Sequence, residues 1–417
     1  MNEEKGWTSE KPLMIVVASG MQPYREYLLR SIGPQFRVHL LHTEEPGWEK
    51  PWLDGWTVVP DTCDGPAMAK VAEELHARTP VSGVLCWDEV RIHATAYVAE
   101  ALGLPGGDPS VLWRLRDKGQ CRAALAAAGV PQPASLPVSD LRGALDAAER
   151  LGYPVILKPR GMGASLGVIR ADDPDALRDG FAFTSSIEIP PSVVYNSPEP
   201  YLVEECVTGE EISVDAVVRD GVVSPVYVAR KVVGYPPYAE EVGHFVDASD
   251  PLLADPELRR VLSDTHAALG VQDGWTHSEF MLTATGPKVI EVNGRLGGDL
   301  IPRLGQLATG VDPGLAAASV ACGREPELRT SRDQVAGVRF LYVDEDDTAI
   351  ASAGFPNRLP AAVDEAVTLV APGAVVSPPP KGTVWGRIAY VTATGASRES
   401  CRAALDAAEA AFAYSAR

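Results

Sequence analysis

The residues with the clearest chemical potential lie in two short apolar segments flanking Ala284-Thr285-Gly286-Pro287. A hairpin centred on Thr285 sets Glu279 opposite Glu291, so the two side chains share one face. Asn293, two residues beyond Glu291, points the same way because strand side chains alternate. Opposed carboxylates repel unless a cation separates them, and two acids with an amide oxygen make a hard-oxygen set suited to Mg²⁺. The other reading is a solvated hairpin face with unrelated acids, against which stand the apolar neighbours Val289, Ile290 and Val292. Arg295 and Gly297-Gly298-Asp299 follow at once.

A second constellation is Lys158, at the end of an apolar run, followed by a loop with Gly161, Gly163, Ser165 and Gly167. Closely spaced glycines let successive backbone N–H groups approach an anion, and an isolated lysine beside them suggests phosphate. The spacing fits neither a Walker loop nor the dinucleotide fingerprint, and a Gly-rich hairpin without function is the competing reading. Glu204-Glu205 and Gly209-Glu210-Glu211 read, alone, as surface acids. A lone histidine such as His244 is as often structural as functional, and Arg230-Lys231 faces either a substrate carboxylate or solvent. His277 shares the face of Glu279 and is placed to act behind it.

These residues need elements to hold them. Residues 13–18, 36–41, 56–59 and 81–87 read as strands and 67–77 and 92–102 as helices, the alternation of a parallel sheet with crossover helices. The turn-rich residues 103–109 close that first domain. Residues 141–151 read as a helix, 155–158 as a strand, and the Ser- and Pro-rich stretch 185–200 as an exposed connection. Strand content then rises, with Asp220-Gly221 as a hairpin turn, and the chain closes on an Ala-rich helix over 398–412. No repeat of fixed period is present.

Length and composition bound the rest. A chain of 417 residues exceeds a single compact core, and 46% hydrophobic with 22% charged residues is an ordinary globular balance. The net charge of −19 disfavours nucleic acid and anionic membrane surfaces as partners. Residues 1–12 lack the apolar core of a signal peptide and read as a frayed tail, and no apolar run approaches transmembrane length. Six cysteines without Cys-x-x-Cys spacing read as reduced thiols, so the expected location is cytoplasmic.

The order of these features, Lys118, then Lys158 with the Gly-rich loop, Glu204-Glu205, Glu211, and last Glu279, Glu291, Asn293 and Arg295, resembles the ATP-grasp superfamily over residues 110–310. The strings Glu241-Val242-Gly243-His244, Thr276-His277-Ser278-Glu279-Phe280 and Asn293-Gly294-Arg295-Leu296-Gly297-Gly298-Asp299 resemble its L-amino-acid ligase branch, typified by the bacilysin-pathway dipeptide ligase. The resemblance implies an α/β architecture, α+β in part, of three domains: a parallel-sheet domain over 1–110, a lid over 111–203, and a mixed or antiparallel-sheet domain over 204–417. It implies ATP with two Mg²⁺ ions, Mn²⁺ being able to substitute. Lys118 and Lys158 would contact phosphates, and the loop with Gly161, Gly163, Ser165 and Gly167 would close over them. Glu204, Glu205 and Val207 would form the adenine hinge, and Glu211 would hold the ribose. Glu279, Glu291 and Asn293 would bind metal. Arg295 would act with Lys158 in catalysis, and His244, Gly298 and Arg230 would line the substrate pocket with it. The implied reaction joins a carboxylate to an amine, typically of two amino acids, through an acylphosphate with release of ADP and phosphate. A homodimer is common among such ligases. An ATP-grasp carboxylase, a phosphoryl transferase and a non-catalytic ATP-binding protein are the competing readings.

Overall fold

A computed structural model describes residues 11–163, 165–187, 197–236, 238 and 240–417. The tail expected over 1–12 lies almost wholly outside the described residues, as do positions 188–196 of the expected connection. The chain forms two compact units: the residues as far as Leu112 together with Asp312–Glu327, and Trp113–Val311 together with Leu328–Arg417.

The first unit is a parallel sheet. Leu13–Val17, apolar and buried throughout, lies between Arg37–His42 and Val81–Leu85, with Gly55–Val58 beyond Arg37–His42. A continuous apolar run is what a central parallel strand requires, since both its faces are covered. Its core joins Leu13, Ile15 and Val17 to Met68, Ala72, Ile92 and Val98 from the helices Gly65–Arg78 and Ile92–Ala101. The helix Gln22–Ile32, not evident in the sequence, buries Tyr27, Leu28, Leu29 and Ile32 in one stripe. The helix Pro313–Ala321 also belongs to this unit, where Ser31 Oγ donates to Asp312 Oδ1 at 3.0 Å. The sequence placed that segment in the C-terminal domain. An Ala-rich helix buried on nearly every side needs a ready-made core, and that need outweighs nearness in the chain.

The second unit holds two larger sheets, both antiparallel. The smaller runs Ser135–Val138, Tyr201–Glu205, Val155–Pro159, Ile169–Ala171 and packs Val155, Leu157 and Val203 against the helices Leu141–Leu151 and Pro174–Ser186. The domain boundary expected after residue 203 falls inside the strand Tyr201–Glu205, so this sheet runs to Glu205. The larger sheet has eight strands in the order Gly286–Asn293, Gly274–Thr283, Glu210–Arg219, Val222–Gly234, Glu240–Asp247, Val335–Leu341, Ala389–Gly395, Val363–Thr368. The helix Arg398–Ala411 opens on a Ser397 capping box and buries Cys401, Leu405 and Ala408 against it. The last strand, Ala413–Ala416, joins a separate three-stranded sheet. The fold is thus mixed α/β, a parallel-sheet unit followed by antiparallel sheets, as the sequence implied.

Candidate active site

The site is built on one face of the eight-stranded sheet, and two bulges decide which residues reach it. Across the hairpin of Gly274–Thr283 and Gly286–Asn293, Thr283 pairs with Gly286 and Phe280 with Val289, a ladder that, continued unbroken, would set Glu279 against Ile290. The register shifts between Glu279 and Phe280, Ile290 becomes the extra residue, and Glu279 pairs directly with Glu291. His277 then pairs with Asn293 on one side and with Asp215 on the other, which places all five side chains on the same face. The second bulge lies between Pro225 and Tyr227. An unbroken ladder from the Asp220-Gly221 turn would oppose Arg230 to Glu211; the shift pairs Arg230 with Ile212 and brings Lys231 to Glu211 instead.

The face lines a cleft of about 280 Å³ whose walls include Lys118, Lys158, Gly163, Ser165, Glu204, Glu205, Val207, Glu211, Glu279, Glu291, Asn293, Arg295 and Gly298. Residues expected to meet nucleotide, metal and transition state therefore converge from both sheets. Gly161 and Gly167 stand at the ends of the Gly-rich loop, outside the lining. At Gly167 φ is +75° and an added Cβ would lie 2.9 Å from Pro159 Cγ, so only glycine fits the turn back into Ile169–Ala171.

Buried ion pairs organise the cleft. Arg122 Nε donates to Glu204 Oε1 at 2.7 Å and its Nη2 to Oε2 at 3.1 Å, while Lys158 Nζ lies 2.6 Å from Oε2. Burial opposes ionisation of Glu204, yet Arg122 and Lys158 pull its pKa down to about 2. Burial lowers that of Lys158, with Glu204 acting against it. The Glu204 side chain is thereby paired with two cations in the wall of the cleft. Glu205 turns to Lys288 at 3.0 Å. Lys118 Nζ donates to Glu291 Oε1 at 3.1 Å and to the Met162 carbonyl at 2.5 Å.

Lys231, which the sequence left undecided, is the hub on the other side. Its Nζ lies 2.7 Å from Glu211 Oε1, 3.0 Å from Glu241 Oε1 and 2.8 Å from Glu279 Oε2. Burial opposes its charge, but the three carboxylates hold the ammonium well above its ordinary value. Glu211 is pushed up by burial, and Glu279 and Glu241 add to that against the pull of Lys231. For Glu279 burial is outweighed by Lys231 and His277, which hold its carboxyl well below the usual range. Parity in a bulged strand was the only sequence signal for Lys231, and the bulge hid it. Arg230 is not brought to the cleft: its guanidinium binds Asp250 at 2.7 Å and Glu210 at 2.7 Å.

His277 Nδ1 lies 2.8 Å from Asp215 Oδ2 and its Nε2 3.5 Å from Glu279 Oε1. Burial disfavours the imidazolium, but the two carboxylates raise its pKa to about 9. His244, fully buried, is not itself part of the lining; its Nε2 faces Asp299 Oδ2 at 3.1 Å and Glu241 Oε2 at 3.3 Å. Arg387, which the sequence did not single out, reaches Asp299 Oδ1 at 2.6 Å and the Glu241 carbonyl at 3.0 Å. Glu241, His244 and Asp299 together have the donor types of a metal site. Arg387 pairs with Asp299, and Lys231 with Glu241 as well as with Glu211 and Glu279. The set formed by Glu279, Glu291 and Asn293 is different in kind: hard oxygen donors on adjacent strands, aligned by register, fit a divalent cation such as Mg²⁺.

Residues 151–303 match the ATP-grasp domain family. The uncharacterized protein y4rH of Sinorhizobium fredii is 30% identical over 350 residues, 82% of this chain and 69% of that protein. The alanine–anticapsin ligase of Bacillus subtilis is 27% identical over 286 residues, 63% of this chain but only 57% of that enzyme. Among solved structures, the L-amino acid ligase of Bacillus licheniformis superposes with a TM-score of 0.80 at 20% identity, covering 98% of this chain and all of that one, which shows a common fold. The chain belongs to the ATP-grasp family. It is an enzyme of the ligase class, its named relatives including the alanine–anticapsin ligases and an L-arginine-specific L-amino acid ligase of Bacillus subtilis. The family works with ATP and a divalent metal. Among the described residues no helix is long and apolar enough to cross a membrane.

Proposed function

We propose that the chain is an ATP-dependent carboxylate–amine ligase that joins two amino acids, or an amino acid and another amine. The observation that carries this is the alignment of Glu279 with Glu291 in a cleft shared with Lys118, Lys158, the Gly-rich loop and Arg295.

A carboxylate is a poor electrophile, so one substrate must first gain a leaving group. Its oxygen attacks the γ-phosphorus of ATP, ADP departs, and an acylphosphate forms. Lys118 and Lys158 hold the α- and β-phosphates, Gly163 and Ser165 close over them, and the backbone from Glu205 to Val207 meets the adenine. Glu279, Glu291 and Asn293 would hold two Mg²⁺ ions, which Mn²⁺ could replace, and these would supply screening of charge on the phosphate oxygens. Lys118 and Lys231, paired with Glu291 and Glu279, would balance the charge of those carboxylates and could follow them if they turned to metal.

The amine then attacks the carbonyl carbon, loses a proton, and expels phosphate from the tetrahedral species, whose oxyanion Arg295 stabilises. Closure of the Gly-rich loop keeps water from the acylphosphate. Incubation with ATP, Mg²⁺ and paired amino acids should release ADP and phosphate in step with a new amide; AMP and pyrophosphate in their place would exclude the mechanism.

A further inference from the structure

Asp215 is fully buried in the strand Glu210–Arg219, and its two oxygens are used in different directions. Oδ2 lies 2.8 Å from His277 Nδ1, whose far nitrogen faces Glu279. Oδ1 accepts from the Trp275 indole at 2.8 Å and from the Gly297 backbone N–H at 3.0 Å, two residues beyond Arg295. The approach at Gly297 is close: a Cβ there would lie 3.0 Å from His277 Nδ1 and 3.2 Å from both Asp215 oxygens. One carboxylate thus fixes the ring behind a candidate metal ligand and the backbone that carries the candidate transition-state arginine.

We propose that Asp215 is a positioning residue that couples the divalent-cation site at Glu279 to the Arg295 loop, acting through the His277 ring on one side and the Gly297 N–H on the other. This rests on the metal assignment made above. A ring that turns freely about its Cβ–Cγ bond cannot hold a carboxylate oxygen at a fixed bearing, and a buried acceptor on Nδ1 removes that freedom. The same acceptor prevents the 297–298 turn from drifting, so the arginine and the metal ligands keep one spacing.

The test is Mn²⁺ binding to the full chain with a non-hydrolysable ATP analogue, read by electron paramagnetic resonance beside thermal melts. Asp215→Asn keeps the volume and an acceptor for Gly297 but sets an amide N–H against the ring. It should weaken Mn²⁺ by about 10- to 100-fold, the usual cost of an outer partner of a metal ligand. His277→Gln, which leaves Asp215 its other two donors, should do the same and decides the matter if Asp215→Asn does not fold. Gly297→Ala should lower both Mn²⁺ affinity and kcat, because its methyl group displaces the pair. Folded Asp215→Asn or His277→Gln protein with wild-type Mn²⁺ affinity overturns the proposal, since a merely structural role would shift only the melt. Wild-type protein that binds no Mn²⁺ with the analogue overturns the metal assignment itself and this proposal with it.

Discussion

Glu279 stands directly opposite Glu291 because Ile290 is an extra residue in the ladder between them. Deleting it would close the ladder into an unbroken register in which Glu291 follows Val289 directly and still faces Glu279. Deletion of Ile290 is therefore expected to cost ADP release far less than Glu291→Ala, which should lower it by at least about 100-fold. Circular dichroism should show Glu291→Ala folded. Wild-type turnover in it would refute the metal assignment.

Lys231 and Arg230 are neighbours in sequence and opposites in place. Lys231→Met leaves Glu211, Glu241 and Glu279 facing one another without their cation, a loss of about 3–5 kcal/mol for a broken buried pair. Urea unfolding should register it, saturating Mg²⁺ should recover part of it, and ligase activity should fall by about 100-fold or more if Lys231 meets transferring phosphate. Arg230→Met strips only Asp250 and Glu210 of a partner; its stability should drop while kcat stays within about threefold of wild type.

Acid stability should report the Glu204 pair. The folded-state pKa near 2 lies below the ordinary 4.5, so the stabilisation is complete above about pH 4.5 and disappears as pH falls towards 2. The depression corresponds to about 3 kcal/mol. Urea midpoints measured from pH 6 to pH 2.5 should fall steeply for the wild type. Glu204→Gln should flatten that slope, starting from a lower midpoint because Arg122 and Lys158 lose their counter-charge.

Chelation gives a fourth check. EDTA should stop ADP release without unfolding the protein, because Lys118, Lys231 and His277 still neutralise the carboxylates. Added Mg²⁺ or Mn²⁺ should restore turnover. A melting temperature that collapses on chelation would instead mark the metal as structural.

Much of this was legible in the chain. The apolar runs at 13–17 and 81–85 announce a buried parallel sheet because such strands are covered on both faces. The order from Lys118 to Arg295 identified the family because phosphate, adenine and metal subsites need different residue types in a set sequence. The pairing of Glu279 with Glu291 was expected from a turn centred on Thr285; the turn itself sets Thr283 against Gly286, and the bulge at Ile290 supplies the pairing.

The tertiary structure decided what period-two reasoning cannot reach. Each β-bulge reverses the parity of every residue beyond it, so Lys231 rather than Arg230 met Glu211 and Glu279, and Ile290 yielded its place to Glu291. Pairings across 82 residues, Arg122 with Glu204 and Asp215 with Gly297, carry no local signal, because a buried carboxylate selects its partner by geometry after the sheets have assembled. The helix Pro313–Ala321 joined the first unit for the same reason: an apolar segment goes where a core will cover it, and the sequence alone states the need without the place.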